Sequence, residues 1–153
     1  MYVLPNHKSL YIRPEALNKM NHYKQVERNA TEAGGILIGR ILEEDGNYII
    51  DDVTEPMPSD RRKRTRFSRK PDGHQEYFNE VWSREKGRCF YLGEWHTHPE
   101  NNPMPSNIDK KDWSRLIKME YESGCLFFII IGIKETKVWY GAEDEIIELK
   151  RRN

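Results

Sequence analysis

Cysteine is nearly missing from this chain: only Cys89 and Cys125 occur among 153 residues, too few for a disulfide framework. Each lies in or beside an apolar run that reads as a buried strand, so both are expected as reduced core thiols. Long hydrophobic runs are missing as well. The longest, Cys125 to Ile133, falls far short of the roughly 20 residues a helix needs to cross a bilayer, and Met1 to Lys8 lacks the apolar centre of a secretion signal. No charge of either sign is in excess, because 25 basic residues balance 25 acidic ones. That balance removes any long-range pull toward nucleic acid or membrane. Without a Gly/Ser-rich or Pro-rich linker, residues 1–153 are expected to form one domain around one core, in the cytoplasm.

What is present is a succession of short apolar runs and amphipathic stretches. Leu10 to Arg13 reads as a strand, and Pro14 suits the first turn of a helix carrying Leu17, Met20 and Tyr23 or Lys24 and running to about Asn29. Gly34 to Arg40 reads as a buried strand, and the Asp45-Gly46-Asn47 turn leads to a hairpin partner at Tyr48 to Val53. Pro56 to Gly73 is polar and basic and is expected as a long loop. A second helix spans His74 to Lys86, with Gly87 placed to end it. A strand from Phe90 leads into His96-Thr97-His98, then come prolines and a third helix beginning near Ser106 with Trp113, Leu116, Ile117 and Met119 or Glu120 on its apolar side. Three strands, Cys125 to Ile133, Thr136 to Tyr140 and Glu145 to Leu149, complete the chain. The pattern predicts an α/β or α+β fold, a sheet sandwiched by helices.

His96 and His98 stand two residues apart at a strand end, where alternate side chains share a face, so both rings can reach one metal ion. Zinc favours such nitrogen ligands supplemented by a carboxylate, and Asp109, one turn into the third helix, can be the third ligand. Glu32, at a strand entry, and Ser106 are candidates for the base and the oxyanion donor that a hydrolase needs. Each residue also has an ordinary reading: Ser106-x-x-Asp109 matches a helix capping box, and Glu32 alone is a charged residue before a strand.

Taken together, Glu32 followed by Gly34-Gly35-Ile36-Leu37-Ile38-Gly39, then His96-x-His98, seven residues, Ser106, two residues and Asp109, resembles the JAMM or MPN-plus metalloprotease family from about Leu10 to Leu149. The resemblance implies a cytidine-deaminase-like α/β core, a mixed sheet between helices, and one catalytic Zn2+ held by His96, His98 and Asp109. It makes Glu32 the general acid/base and Ser106 the hydroxyl that polarises the scissile carbonyl. The Pro56 to Lys70 segment and the Gly93 to Pro99 stretch are similar to small bacterial members found in anti-phage operons, including the cyclic-oligonucleotide (CBASS) type. Those act as deconjugating isopeptidases on ubiquitin-like proteins, or on a nucleotidyltransferase joined to its target.

Such a substrate would enter as an extended C-terminal tail, lying along a strand edge, through a groove expected near Val53 to Pro58 and Pro99 to Pro105. Arg64 and Arg66 of the basic stretch, with Phe67 as an apolar anchor and Trp95 beside the metal motif, are the expected substrate contacts; a solvated loop and simple packing are the alternatives. The balanced charge argues against a dedicated nucleic-acid binder. A nucleobase deaminase would need a Pro-Cys-x-x-Cys motif, which the chain lacks. A sulfur-carrier peptidase would use the same five residues, and a non-catalytic scaffold would normally have lost some of them. His7, His22 and His74 are expected to be non-ligands.

Overall fold

A computed structural model describes residues 1–119 and 121–152; Glu120, the alternative apolar-side position of the third helix, and Asn153, the end of the expected domain, lie outside the described residues. In chain order the elements are β1 (Tyr2–Val3), β2 (Ser9–Ile12), α1 (Pro14–Asn21), β3 (Gly34–Ile41), β4 (Tyr48–Val53), β5 (Arg61–Lys63) and β6 (Arg66–Ser68). There follow α2 (His74–Arg84), β7 (Phe90–Thr97), α3 (Asn107–Ile117), β8 (Leu126–Ile131), β9 (Thr136–Ala142) and β10 (Glu145–Arg151). The expected α/β fold with a mixed sheet is present, and its two edges join: eight strands close a barrel in the order β1-β10-β9-β8-β7-β3-β4-β2, and β5 with β6 forms a separate hairpin. β2 with β4 and β7 with β8 are parallel.

Strand β8 explains the longest apolar run. Phe127, Ile129 and Ile131 join the inner cluster with Leu10, Leu37, Leu92, Trp95 and the α1 residues Ala16 and Met20. Their neighbours Leu126, Phe128 and Ile130 face the other way, against Trp113 and Leu116 of α3. A strand covered on both faces needs no polar alternation. Helix α2 covers a third patch, where Val81 meets Ile36, Ile38 and Cys89. Both cysteines are buried and unbridged, and no helix among the described residues is long and apolar enough to cross a membrane.

Two expectations need correction. Helix α1 stops at Asn21 rather than near Asn29: Tyr23 still packs against the inner cluster, but no apolar face continues after it, and Val26, the lone aliphatic among Lys24 to Arg28, is 66% exposed. The supposed loop Pro56 to Gly73 contains the β5–β6 hairpin, with Arg62 opposite Phe67. Gly34 seats that hairpin: a Cβ there would lie 2.7 Å from the Phe67 ring and 2.6 Å from the Trp95 carbonyl oxygen. On β7, Gly93 (φ +132°) passes so close to β8 that a Cβ would fall 1.8 Å from the Phe127 carbonyl oxygen, a conformation and an approach open to glycine alone.

Candidate active site

Strand β7 ends by presenting His96, and His98 follows one residue beyond the strand, held by a hydrogen bond from its N–H to the Ile131 carbonyl at 3.0 Å. The two Nε2 atoms lie 3.0 Å apart. Asp109 reaches both, Oδ1 standing 3.3 Å from His96 Nε2 and Oδ2 3.1 Å from His98 Nε2. Asp109 is aimed by the start of α3: its Oδ2 accepts the Ser106 N–H at 2.8 Å, while Ser106 Oγ accepts the Asp109 N–H at 3.1 Å. The capping box and the site are thus one structure, and the cap fixes the carboxylate's rotamer.

These separations bear on whether a metal fits. Ligands about 2.0–2.1 Å from a tetrahedral zinc are separated from one another by roughly 3.3 Å, close to the spacing seen here. A second feature points the same way. His98 Nδ1 lies 2.8 Å from Glu100 Oε1; a carboxylate can only accept, so Nδ1 carries the proton and Nε2 is left to face Asp109 and His96. Burial lowers the His98 pKa, but the hydrogen bonds to Asp109 and Glu100 outweigh it and the net shift is upward. Burial likewise pushes Asp109 up, but its side-chain contacts with His96 and His98, the charge of His96 and the hydrogen bond from the Ser106 N–H hold it far below the ordinary carboxylate range. The donor set, two imidazole nitrogens and a carboxylate, is that of a cation site.

Glu32 is the other carboxylate. It is 4% exposed, and one of its oxygens lies within 4.8 Å of both imidazoles. Glu32, His96 and His98 alone bring three donor atoms within 4.8 Å of one another, yet Asp109 contacts the two nitrogens at 3.1 and 3.3 Å, which leaves Glu32 free for another role. Burial pushes the Glu32 pKa up to about 8, assisted by Asp109 and Glu100 and opposed by His98 and Arg66. Two carboxyls beside the same imidazoles are therefore driven in opposite directions. The Glu32 backbone is clamped to the hairpin, its N–H donating to the Lys63 carbonyl at 2.7 Å and its carbonyl accepting from Arg62 Nε at 2.9 Å.

A cleft of about 280 Å³ opens onto His96 and Asp109. Its walls are the hairpin residues Arg66 and Phe67 on one side and Trp113 and Arg115 of α3 on the other, not the expected Val53 to Pro58 and Pro99 to Pro105. Arg66 is exposed at this rim. Phe67 lines the cleft but also packs on Gly34. Arg64 sits at the hairpin turn, its guanidinium reaching the Glu27 carbonyl at 3.4 Å and the Ala30 carbonyl at 3.5 Å. Trp95 departs from expectation. It borders the cleft, but the residue is 1% exposed and its indole N–H donates to the Thr54 carbonyl at 2.9 Å, so its ring is held in the core.

Sequence reasoning missed several supporting residues. Arg69 pairs with Glu94 at 2.7 Å beside the cleft. His74 is not without partners: its Nε2 lies 2.6 Å from Asp60 Oδ2 and its Nδ1 2.6 Å from Thr54 Oγ1, tying the hairpin's root to the barrel. Gln25 is buried and bonded to three segments around the site. These pairings join residues far apart in sequence, and no local spacing announces them.

Fold and site together define a hydrolase scaffold of the JAB type. The model for prokaryotic homologs of the JAB domain matches residues 14–141, and the chain belongs to that family. It is similar to a protein of Escherichia coli (strain TW11681) named CD-NTase/cGAS isopeptidase, 37% identical over 92% of this chain and 87% of the relative. Proteins of the same name from Vibrio cholerae serotype O1 (36% identical over 87% of this chain and 81% of the relative) and Pseudomonas aeruginosa (33% over 83% and 79%) are also similar. Among solved structures, protein DSY2949 from Desulfitobacterium hafniense superposes with a TM-score of 0.60 at 25% identity, over 91% of this chain and 88% of that one.

Proposed function

We propose that this chain is a zinc-dependent isopeptidase that cleaves the amide bond after the C-terminus of a ubiquitin-like modifier or of a conjugated CD-NTase-like nucleotidyltransferase, reversing protein conjugation in bacterial anti-phage defence. The observation that carries the reading is the meeting of His96, His98 and Asp109 at 3.0 to 3.3 Å beside a buried Glu32. The shared name of the similar proteins supports the choice of substrate.

His96, His98 and Asp109 would hold the zinc, which when bound supplies a Lewis acid for the scissile carbonyl and lowers the pKa of a water. Glu32 takes the proton of the attacking water and passes it to the departing amine nitrogen. Its raised pKa suits the second step, and positive charge between the imidazoles would draw it toward neutrality, where a group serves best as both acid and base. Ser106 Oγ accepts from the Asp109 N–H but keeps its own O–H, which is free to donate to the carbonyl oxygen as negative charge builds there. The N-terminal end of α3 adds a favourable dipole at the same place.

The tail of the substrate must arrive extended. Barrel closure leaves the hairpin as the open-edged sheet, and its β6 residues line the cleft that reaches His96 and Asp109. A tail added beside β6 would use main-chain hydrogen bonds for affinity, with Phe67 as an apolar contact and Arg64 and Arg66 available to carboxylates of the partner.

The test is cleavage of a fusion between a ubiquitin-like protein, or a nucleotidyltransferase tail, and a reporter, using wild type and Glu32→Ala with zinc measured in both. Cleavage by wild type alone, with about one zinc per chain retained in each, is the expected result, and chelation should abolish activity until zinc is restored. Undiminished cleavage by Glu32→Ala, or an active wild type without metal, would sink the reading.

A further inference from the structure

Gln25 lies in the irregular segment between α1 and β3, 1% exposed, although glutamine is mostly a surface residue. Its side chain is engaged on both sides. Nε2 donates to the Ala30 carbonyl at 3.1 Å and to the Arg64 carbonyl at 2.8 Å, and Oε1 accepts from the Thr97 hydroxyl at 2.8 Å. Thr97 is itself wholly buried, its Oγ1 accepting the Ala33 N–H at 3.0 Å and its own N–H donating to the Ala33 carbonyl at 2.9 Å.

Each of these partners belongs to a different part of the site. Ala30 and Ala33 bracket Glu32. Thr97 stands between His96 and His98, turned to the opposite face of the strand by its alternation. Arg64 is the turn of the hairpin, whose neighbours Lys63 and Arg62 grip the Glu32 backbone. One buried amide therefore joins the base-bearing segment, the histidine-bearing strand and the hairpin along which the tail would lie.

We infer that Gln25 is a positioning residue: it holds these three segments as one unit, so that the Glu32 carboxyl keeps its distance from the imidazoles when the hairpin is loaded with substrate. This rests on the isopeptidase reading for its consequence in catalysis, though not for the tie itself. The reasoning is one of alternatives. The hairpin lies outside the barrel sheet, so its orientation depends on side-chain and backbone ties such as these. A buried amide that loses its partners is costly, and removing the amide leaves the Ala30 and Arg64 carbonyls and the Thr97 hydroxyl without it. Catalytic geometry is sensitive at the same scale, a displacement of about 1 Å being enough to cost roughly 100-fold in rate.

The test replaces Gln25 with methionine, similar in length and free of hydrogen-bonding groups, and compares it with Thr97→Ser, which keeps the hydroxyl. Two quantities are read: amide hydrogen exchange, resolved at residues 30–34, 61–68 and in β8, and kcat and KM for the fusion substrate at matched zinc content. Gln25→Met should raise exchange at the Glu32 amide and in the hairpin by roughly 10-fold or more with β8 unchanged, and should lower kcat by roughly 10- to 100-fold. Thr97→Ser should retain wild-type exchange and kcat. Unchanged local exchange, exchange rising equally in β8, or loosened segments with undiminished kcat would each overturn the proposal. If wild type itself cleaves neither fusion, the isopeptidase reading fails, and the exchange pattern alone decides whether Gln25 is the tie.

Discussion

Strand β7 and the β5–β6 hairpin border the same cleft but are held by different forces. β7 has Leu92 and Trp95 in the inner cluster and pairs with β3 and β8 along its length. The hairpin has Arg61 to Arg66 in solvent and is fastened by Phe67 on Gly34, by the Asp60–His74–Thr54 bonds at its root and by Gln25 at its turn. Apolar burial fixes the element that carries the histidines, where a small shift would change the 3.0 Å spacing of their Nε2 atoms. Polar ties fix the element along which the proposed substrate tail would lie. Glu32 sits on the seam, with its carboxyl beside the imidazoles and its backbone bonded to the hairpin.

The seam itself is the most sensitive point. Glu32→Gln should lower kcat by roughly 10²- to 10⁴-fold while zinc content stays at the wild-type value, as read by single-turnover kinetics and metal analysis. On the rigid side, Trp95→Ala removes a fully buried ring and should cost about 3–5 kcal/mol of unfolding free energy in a denaturant titration. A cost below about 1 kcal/mol would mean that β7 is not held by its core side chains. Acid–base behaviour tests the seam without mutation. The Glu32 pKa is raised in the folded chain from an ordinary value of 4.5 to about 8, so between these values the folded state keeps a proton that the unfolded state releases. Its contribution is full below the ordinary value and is lost as pH rises toward 8. Metal-free protein should therefore lose stability across that window, by at most about 1.4 kcal/mol per pH unit, and Glu32→Gln should flatten the slope.

On the hairpin side the effects should be smaller and of another kind. Phe67→Ala should leave global unfolding within about 1 kcal/mol of wild type yet raise KM severalfold, the reverse of the Trp95 result. Arg66→Ser, smallest of all, should raise KM about two- to threefold at low salt and hardly at all at high salt, because the charge it removes is exposed and screened.

The same contrast governs what the sequence reveals. Elements fixed by local chemistry were readable: Pro14 opens α1, Gly87 closes α2, and Ser106 caps α3. Strand parity placed His96 and His98 together. Parity also puts Trp95 on the opposite face, so its burial could have been inferred from the argument that paired the histidines. The hairpin escaped detection because Arg61 to Ser68 contains one large apolar residue, Phe67, and shows no alternation. Gln25 and His74 escaped because their partners, Thr97 and Arg64 for the first and Thr54 and Asp60 for the second, come together only in the folded chain.

Barrel closure also bears on when the protein can finish folding. Tyr2 pairs with Arg151 and Val3 with Lys150, so β1 and β10, from opposite ends of the described chain, are sheet neighbours. Contacts of such separation form late and slowly. On a ribosome, Glu32 and both histidines emerge well before β9 and β10 can complete the ring. A half-made chain therefore carries Glu32, His96 and His98 without the closed ring of strands around them.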